Sequence, residues 1–491
     1  MRDFVKKFLI LPLFLLLFPL FGQEYSTGAI LDPVRYAQTD AKPVLVTRNY
    51  SSLPRSVSLK QYSPIPESQG QYGTCTGWAT AFAARTISES IALNRTSRFT
   101  VTSNVFSPYF VYVGHFLRRG ITPTGHEGAV LSYVLDYMKR EGAVKRLAFE
   151  AGISMAFGDR DNFEMFTDGF SRFADSRRYP IADYVRLFLS DYPETMKVSA
   201  VKKSLAERKP VIIGMNVPDS FRNRYVRGVW QPYGNEDPNG RYPGHAMCVV
   251  GYDDDMHGGA FEVQNSWGTR WGNDGYIWIR YGDFAAFVDE AYEIIENLSL
   301  YREATRFSAS IEIEVFNDNR GMPVFLDTDE DIQFDMYRTR FSYPQGTLFQ
   351  FQMTNRYPAY VYAFSADSSS SDIEHIFPMP GVSPVLDYAD STVAWPGENE
   401  GMMLATTAGI HYLVVLYSKE ALDIEAIERR FAEERGSFTY RVSRAVGSNF
   451  IPPYGPNRSL QYKDDAIEFT AETYDPKSVF GLFLAIDHQA R

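Results

Sequence analysis

The chain has 491 residues, 45% of them apolar, which is more than one hydrophobic core usually organises and ample for two. A formal net charge of -11 with no long basic run argues against nucleic acid and against an anionic membrane surface as partners. Only two cysteines occur, Cys75 and Cys248, too few for a disulfide framework, so stability must come from packing.

Arg2, Lys6 and Lys7 precede an apolar run from Phe8 to Phe21, the form of a signal peptide over residues 1–23. The run is too short to span a bilayer with ease, and no second run of about 20 apolar residues follows. The mature chain is therefore expected to be exported and to keep no stable membrane anchor. Residues 24–50 are polar, carry scattered prolines and lack periodicity; they read as a linker or short pro-segment, with no long inhibitory pro-segment in view. Leu53 to Leu59 alternates apolar and polar residues, an extended lead-in.

Pro64, Pro66, Gly70 and Gly73 prevent regular structure up to Cys75, and from Thr76 onward Trp78, Ala79, Phe82, Ala83, Thr86 and Ile87 recur at helical spacing. Gly128 to Glu141 predicts a further helix, stopped by Gly142. From Ala151 to Ser190 the pattern weakens among Gly158, Asp159, Asp161, Gly169 and Pro180, and reads as a surface insertion; Val201 to Arg208 is a short helix. At Pro210 the period changes. Strands are predicted at Val211–Val217, Gly244–Tyr252, Ala260–Asn265, Tyr276–Ile279 and Ala291–Ile295. Helices followed by an antiparallel sheet make the class α+β. From about Leu298, alternation at Ile311–Phe316, Leu348–Thr354, Val361–Ala366 and His411–Tyr417, with one helix at Ile424–Glu434, predicts a separate β-rich, sandwich-like domain over residues 298–491.

Cys75 opens its helix, where unpaired N–H groups and the helix dipole favour a thiolate. A thiolate nucleophile needs a base, and the base needs a group to hold its ring. Of seven histidines, His245 begins a strand in HAMCVVGY and the next strand ends at Asn265, so a hairpin places the two side by side. Gln69 carries amide N–H groups that, with the Cys75 backbone N–H, suit a developing oxyanion. Trp267 is placed to cover the His245–Asn265 bond from water. Along the strand, Cys248 points to the face opposite His245 and is expected to be structural and free. The scheme calls for no cofactor and no metal.

These residues resemble the papain-like cysteine peptidases. The loop from Gln69 to Cys75 resembles the family's Gln-Gly…Cys signature, HAMCVVGY its histidine strand, and NSWGTRWGNDGY, Asn265 to Tyr276, its asparagine motif. The resemblance covers residues 51–297 and implies a two-lobed domain, one lobe helical and one of antiparallel strands. It also implies catalytic Cys75, His245 and Asn265, with Gln69 in the oxyanion hole, acting on a protein or peptide substrate. Tyr72 stands where the family usually has a disulfide-forming cysteine, and Thr76 where a tryptophan usually follows the nucleophile. A weaker resemblance, in His375-Ile376-Phe377-Pro378 and Gly409 to Ser418, is to a β-rich domain appended to bacterial peptidases and kinases. The expectation is thus an exported thiol peptidase of the bacterial periplasm or exterior. The other reading is a retired peptidase fold that binds peptides or serves adhesion.

Overall fold

The computed structural model describes residues 25–43, 53–150, 163–173, 177–297 and most of 305–490. The signal-peptide run, residues 44–50 and the start of the predicted insertion lie outside the described residues.

The chain enters through a short helix α1 (Pro33–Gln38), capped by Asp32, whose Oδ1 accepts from the Arg35 N–H at 3.0 Å, with Pro33 in the first turn where its missing N–H costs nothing. After strand β1 (Ser56–Ser58) and the irregular loop, helix α2 (Cys75–Gly77) runs without a break into a π-helical segment (Trp78–Arg85) and then α3 (Thr86–Ala92). Every residue from Cys75 to Ser90 is buried. The alanines at 79, 81, 83 and 84 keep this helix thin enough to lie against the sheet, and Gly77 lets a second helix in: a Cβ there would sit 2.3 Å from the Pro108 carbonyl oxygen. π-Helical turns are rare and tend to mark functional sites. Here Thr86 Oγ1 donates to the Ala81 carbonyl, five residues back, at 3.2 Å.

Helices α4 (Pro108–Arg118), α5 (Leu131–Arg140) and α6 (Glu194–Ala206) are the longest of the other helices described in the first half. Its sheet is built from β2 (Asp183–Arg186), β3 (Val211–Asn216), β4 (Val229–Trp230), β5 (Gly244–Asp253), β6 (Ala260–Gln264), β7 (Tyr276–Arg280) and β8 (Val288–Ile295). Its order is β2-β8-β3-β5-β6-β7-β4, with β1 paired to β5, and the pairs are antiparallel except β4 with β7. Strand β5 is central and buried from His245 to Tyr252, which explains its unbroken apolar sequence. One apolar core runs from Cys75, Ala79 and Val134 on the helices to Met215, Met247 and Ile277 on the sheet.

The surface insertion expected over Ala151–Ser190 is corrected where it is described. Phe163, Phe166 and Phe170 recur at helical spacing and pack inward: Tyr109 stacks on Phe166 at 4.4 Å and Phe110 on Phe170 at 4.8 Å. Residues Asp183–Arg186 form the edge strand of the sheet, paired to β8. The glycines and aspartates between the aromatics hide this stripe from a sequence reading.

Behind the π segment, the fully buried Arg85 pairs with Glu296 at 2.8 Å and lies 4.6 Å from the centre of the Phe106 ring. Cys248 is also buried, opposite Ile212 on β3 and Gln264 on β6, and both cysteines are free thiols. Cys248→Ala is expected to cost on the order of 1 kcal/mol, seen as a small fall in Tm, and to leave the activity proposed below unchanged.

Beyond residue 304 the chain is β-rich. One sheet has the order Thr392–Trp395, Leu348–Asn355, Thr305–Asn317, Ala466–Thr473, Arg458–Tyr462. The other runs Leu326–Asp329, Met336–Thr339, Val479–Gln489, Gly409–Ser418, Ala359–Asp367, Glu374–Phe377. Inward residues of both sheets, among them Ile311, Phe351, Val361, Val415 and Leu482, share one core. A second cluster joins Tyr360, Tyr362 and Phe364 of this half to Val185 and Ile295 of the first, so apolar packing runs from one half into the other.

Candidate active site

Cys75 begins α2, which packs against β5, and the backbone amide of Ala246, the residue after His245, lies within hydrogen-bond reach of the sulfur. His245 Nε2–H donates to Asn265 Oδ1 at 2.7 Å, and its Nδ1 makes no hydrogen bond among the described residues. The ring is therefore held as the tautomer whose free nitrogen is a base. Trp267 covers this bond: its ring stacks on His245 at 4.5 Å. Asn265 sits just past β6, and its Oδ1 also accepts from the Ser266 N–H at 2.7 Å, which fixes the amide's orientation.

Gln69 is buried, and its Nε2 donates one hydrogen bond to the Tyr72 carbonyl at 2.8 Å. Its Oε1 accepts from Ser266 Oγ at 2.5 Å, and its backbone N–H donates to the Ser266 carbonyl at 2.9 Å. Ser266 thus ties the asparagine hairpin to the loop before the nucleophile. A reading by chemical type misses it, although it stands beside Asn265 in the sequence. All four residues singled out from the sequence, Gln69, Cys75, His245 and Asn265, meet at this one place between the helix and the sheet.

The site is closed. Tyr25 stacks on Trp267 at 4.8 Å, and the Trp267 indole N–H donates to the Ser26 carbonyl at 2.7 Å. The Gly28 and Ala29 N–H groups reach the Gly244 carbonyl at 3.2 and 3.1 Å. Ile30 N–H donates to the Ala129 carbonyl at 2.9 Å and Ala129 N–H to the Gly28 carbonyl at 2.8 Å, a parallel pairing centred on Ala29. Gly28 runs so close to the nucleophile loop that a Cβ would fall 2.1 Å from the Gly73 carbonyl oxygen. Residues 25–31 are thus a strap across the site, a role the short polar segment gives no sign of in the sequence. The Asp32-Pro33 helix start is the one local signal it carries.

Burial under the strap sets the protonation states. It pushes the Cys75 thiol up to about 12, against backbone amides of Ala246, Thr76, Ala29 and Cys75 that favour the thiolate. It pushes His245 down to about 4, opposed by the bond to Asn265. Thiol and imidazole are both neutral here near pH 7. Beside the strap, a cavity of about 340 Å³ is lined by Tyr25, Pro66, Glu67, Ser68, Trp267 and the Gly268–Arg270 turn.

Removing the base should matter more than removing the group that orients it. His245→Ala is expected to lower the activity proposed below by about 10²- to 10⁴-fold, the range for a lost general base, and Asn265→Ala by less. Steady-state rates of the two variants check the order, and a larger loss from Asn265→Ala would contradict the orienting role.

The model of the papain family cysteine protease matches residues 119–295, a stretch that holds His245 and Asn265 while Gln69 and Cys75 precede it. Peptidase 1 of Dermatophagoides pteronyssinus is 26% identical over 241 residues, 48% of this chain and 62% of that protein. A cysteine protease of Ambrosia artemisiifolia, Amb a 11.0101, is 24% identical over 245 residues, 50% of this chain and 55% of that protein. The chain thus spans less than two thirds of the length of these curated relatives. Among solved structures, xylellain, a cysteine protease from Xylella fastidiosa, aligns at a TM-score of 0.44 with 22% identity, over 56% of this chain and 96% of that one. Residues 119–295 of this chain are thus similar to the papain family cysteine proteases.

Proposed function

We propose that the protein is an exported cysteine-type peptidase, residues 51–297 forming the peptidase domain and residues 298–491 a β-rich accessory domain. The observation that carries the reading is the His245 ring, held through Nε2 by Asn265 and covered by Trp267, with Nδ1 making no hydrogen bond among the described residues, on the strand against which the Cys75 helix packs. With the strap displaced, the thiol proton passes to His245 Nδ1 and the sulfur attacks the carbonyl carbon of a peptide bond. The resulting oxyanion is met by the Cys75 backbone N–H and the second N–H of the Gln69 amide, whose first is taken by Tyr72. His245 then protonates the leaving amine, the C–N bond breaks, and a thioester remains. Water, deprotonated by Nδ1, hydrolyses it and restores the thiol.

The basic residues Arg2, Lys6 and Lys7 before the apolar run Phe8–Phe21 support export to the periplasm or the exterior of a bacterial cell. Protein or peptide is the substrate class. The test is titration with a thiol-directed epoxide inhibitor alongside hydrolysis of a mixed peptide library. Stoichiometric labelling of Cys75 that abolishes cleavage is expected. Labelling without any cleavage by unlabelled, strap-free protein would favour the retired peptide-binding or adhesion fold.

A further inference from the structure

Downstream of α1 the same strap passes between the two halves of the molecule. Asp40 and Lys42 turn their backbone to the first half: Arg186 N–H donates to the Asp40 carbonyl and Lys42 N–H to the Arg186 carbonyl, both at 2.9 Å. Ala41, between them, turns its backbone to the β-rich half. Its N–H donates to the Gly381 carbonyl at 2.7 Å, and its carbonyl accepts from the Ser383 N–H at 3.1 Å. One residue of strap is thus a strand with a partner on each edge, and one of those partners is the β-rich half.

Side-chain charge repeats the arrangement. Lys42 of the strap pairs with Glu293 of β8 at 2.8 Å, and Lys209, just before β3, pairs with Asp387 of the β-rich half at 2.5 Å. The Glu293 side chain is fully buried and that of Asp387 nearly so. The two pairs feel each other: Glu293 acts on Lys209, and Lys42 acts on Asp387. The strap, the first half and the β-rich half each supply charge to one buried cluster. Withdrawing any one of them leaves the others under-compensated out of water.

We propose that the β-rich half is a clamp: by holding Ala41 and Lys42 against the first half it keeps residues 25–31 seated over Cys75, so that loosening this half opens the site. This rests on the peptidase reading for its biological consequence, and the structural claim stands without it. Tyr36 and Arg35 tie α1 to the first half alone, through the Tyr36 hydroxyl on the Phe188 carbonyl at 2.6 Å and the Arg35–Asp136 ion pair at 2.5 Å. The clamp is what closes the strap's other edge. No covalent step is involved, and the device works by holding a segment in place.

The test is the rate at which iodoacetamide alkylates Cys75 in the full chain, read by peptide mass spectrometry, because alkylation reports exposure of the sulfur whether or not peptides are cleaved. Ala41→Pro removes the one N–H that the strap gives to Gly381 and leaves the Asp40 and Lys42 bonds to Arg186. A rate at least tenfold above the parent chain is expected. Should that variant misfold, Lys209→Met with Asp387→Leu removes the ion pair between the halves without stranding a charge, and the same increase is expected. Gly28→Val, which cannot seat under Gly73, gives the rate of the open site. Rates in both clamp variants equal to the parent, with Gly28→Val fast, would overturn the clamp. If Gly28→Val is fast and yet cleaves nothing, the peptidase reading fails while the clamp is judged on its own rates.

Discussion

Cys75→Ser should lower peptide hydrolysis by on the order of 10⁴-fold or more while the protein folds as before. The change is nearly isosteric at a fully buried position, so packing against Ala79 and the β5 backbone is kept and Tm should hardly move. What is lost is acidity and nucleophilicity. A thiol at a helix N-terminus ionises far more readily than a hydroxyl, and a nucleophile and base that act as one unit lose almost everything when either is removed. The measurement is steady-state hydrolysis in a background with the strap displaced, since the parent chain buries the sulfur. Activity within tenfold of the parent would remove Cys75 from the reaction.

The second large effect is expected from Gly28→Val. The nearest atom to the added Cβ is a backbone oxygen, that of Gly73 at 2.1 Å, in the loop that leads into Cys75, so no side chain can swing aside to make room. Residues 25–31 should leave the site, and alkylation of Cys75 should rise about 100-fold, which corresponds to about 2.8 kcal/mol of lost closure. The pH profile should change with it. In the closed chain burial raises the thiol to about 12 and lowers the imidazole to about 4, so both are uncharged from pH 5 to 8 and alkylation is slow, climbing with pH across that window without levelling off. Readmitted water relieves both penalties, the thiolate forms at lower pH, and the rate should rise and then level off at lower pH than in the parent chain. A Gly28→Val profile that overlays the parent would show that something other than the strap buries the sulfur.

The sequence made some parts legible because chemistry or period confines them. Cys75, His245 and Asn265 each stand at the end of an element, and the strands around Val211, Gly244 and Ala260 carry the buried apolar runs that their positions in the sheet require. Other parts depend on contacts that no local pattern encodes. Ser266 matters because of Gln69, almost two hundred positions away in the chain, and nothing in a lone serine announces that. The strap is aperiodic because many of its bonds are backbone bonds, to Gly244 and Ala129, which constrain side-chain identity little away from Tyr25 and Gly28. In the β-rich half, helix Phe438–Val446 and strand Val479–Gln489 escape a sequence reading, the first for its mixed β-branched and aromatic content and the second because a central strand buried on both faces lacks alternation.

The Arg85–Glu296 pair constrains how this chain can change over generations. Losing the arginine alone takes the nearest cation from Glu296 in the core behind the nucleophile helix, at a cost of about 3–5 kcal/mol, whereas exchanging both for hydrocarbon side chains of matching volume is close to neutral or better. The two ends of that path are close in stability, and the midpoint that keeps the glutamate alone is the costly one. Related chains should therefore seldom keep the glutamate without the arginine, and this correlation would join the helix behind Cys75 to the residue just past β8.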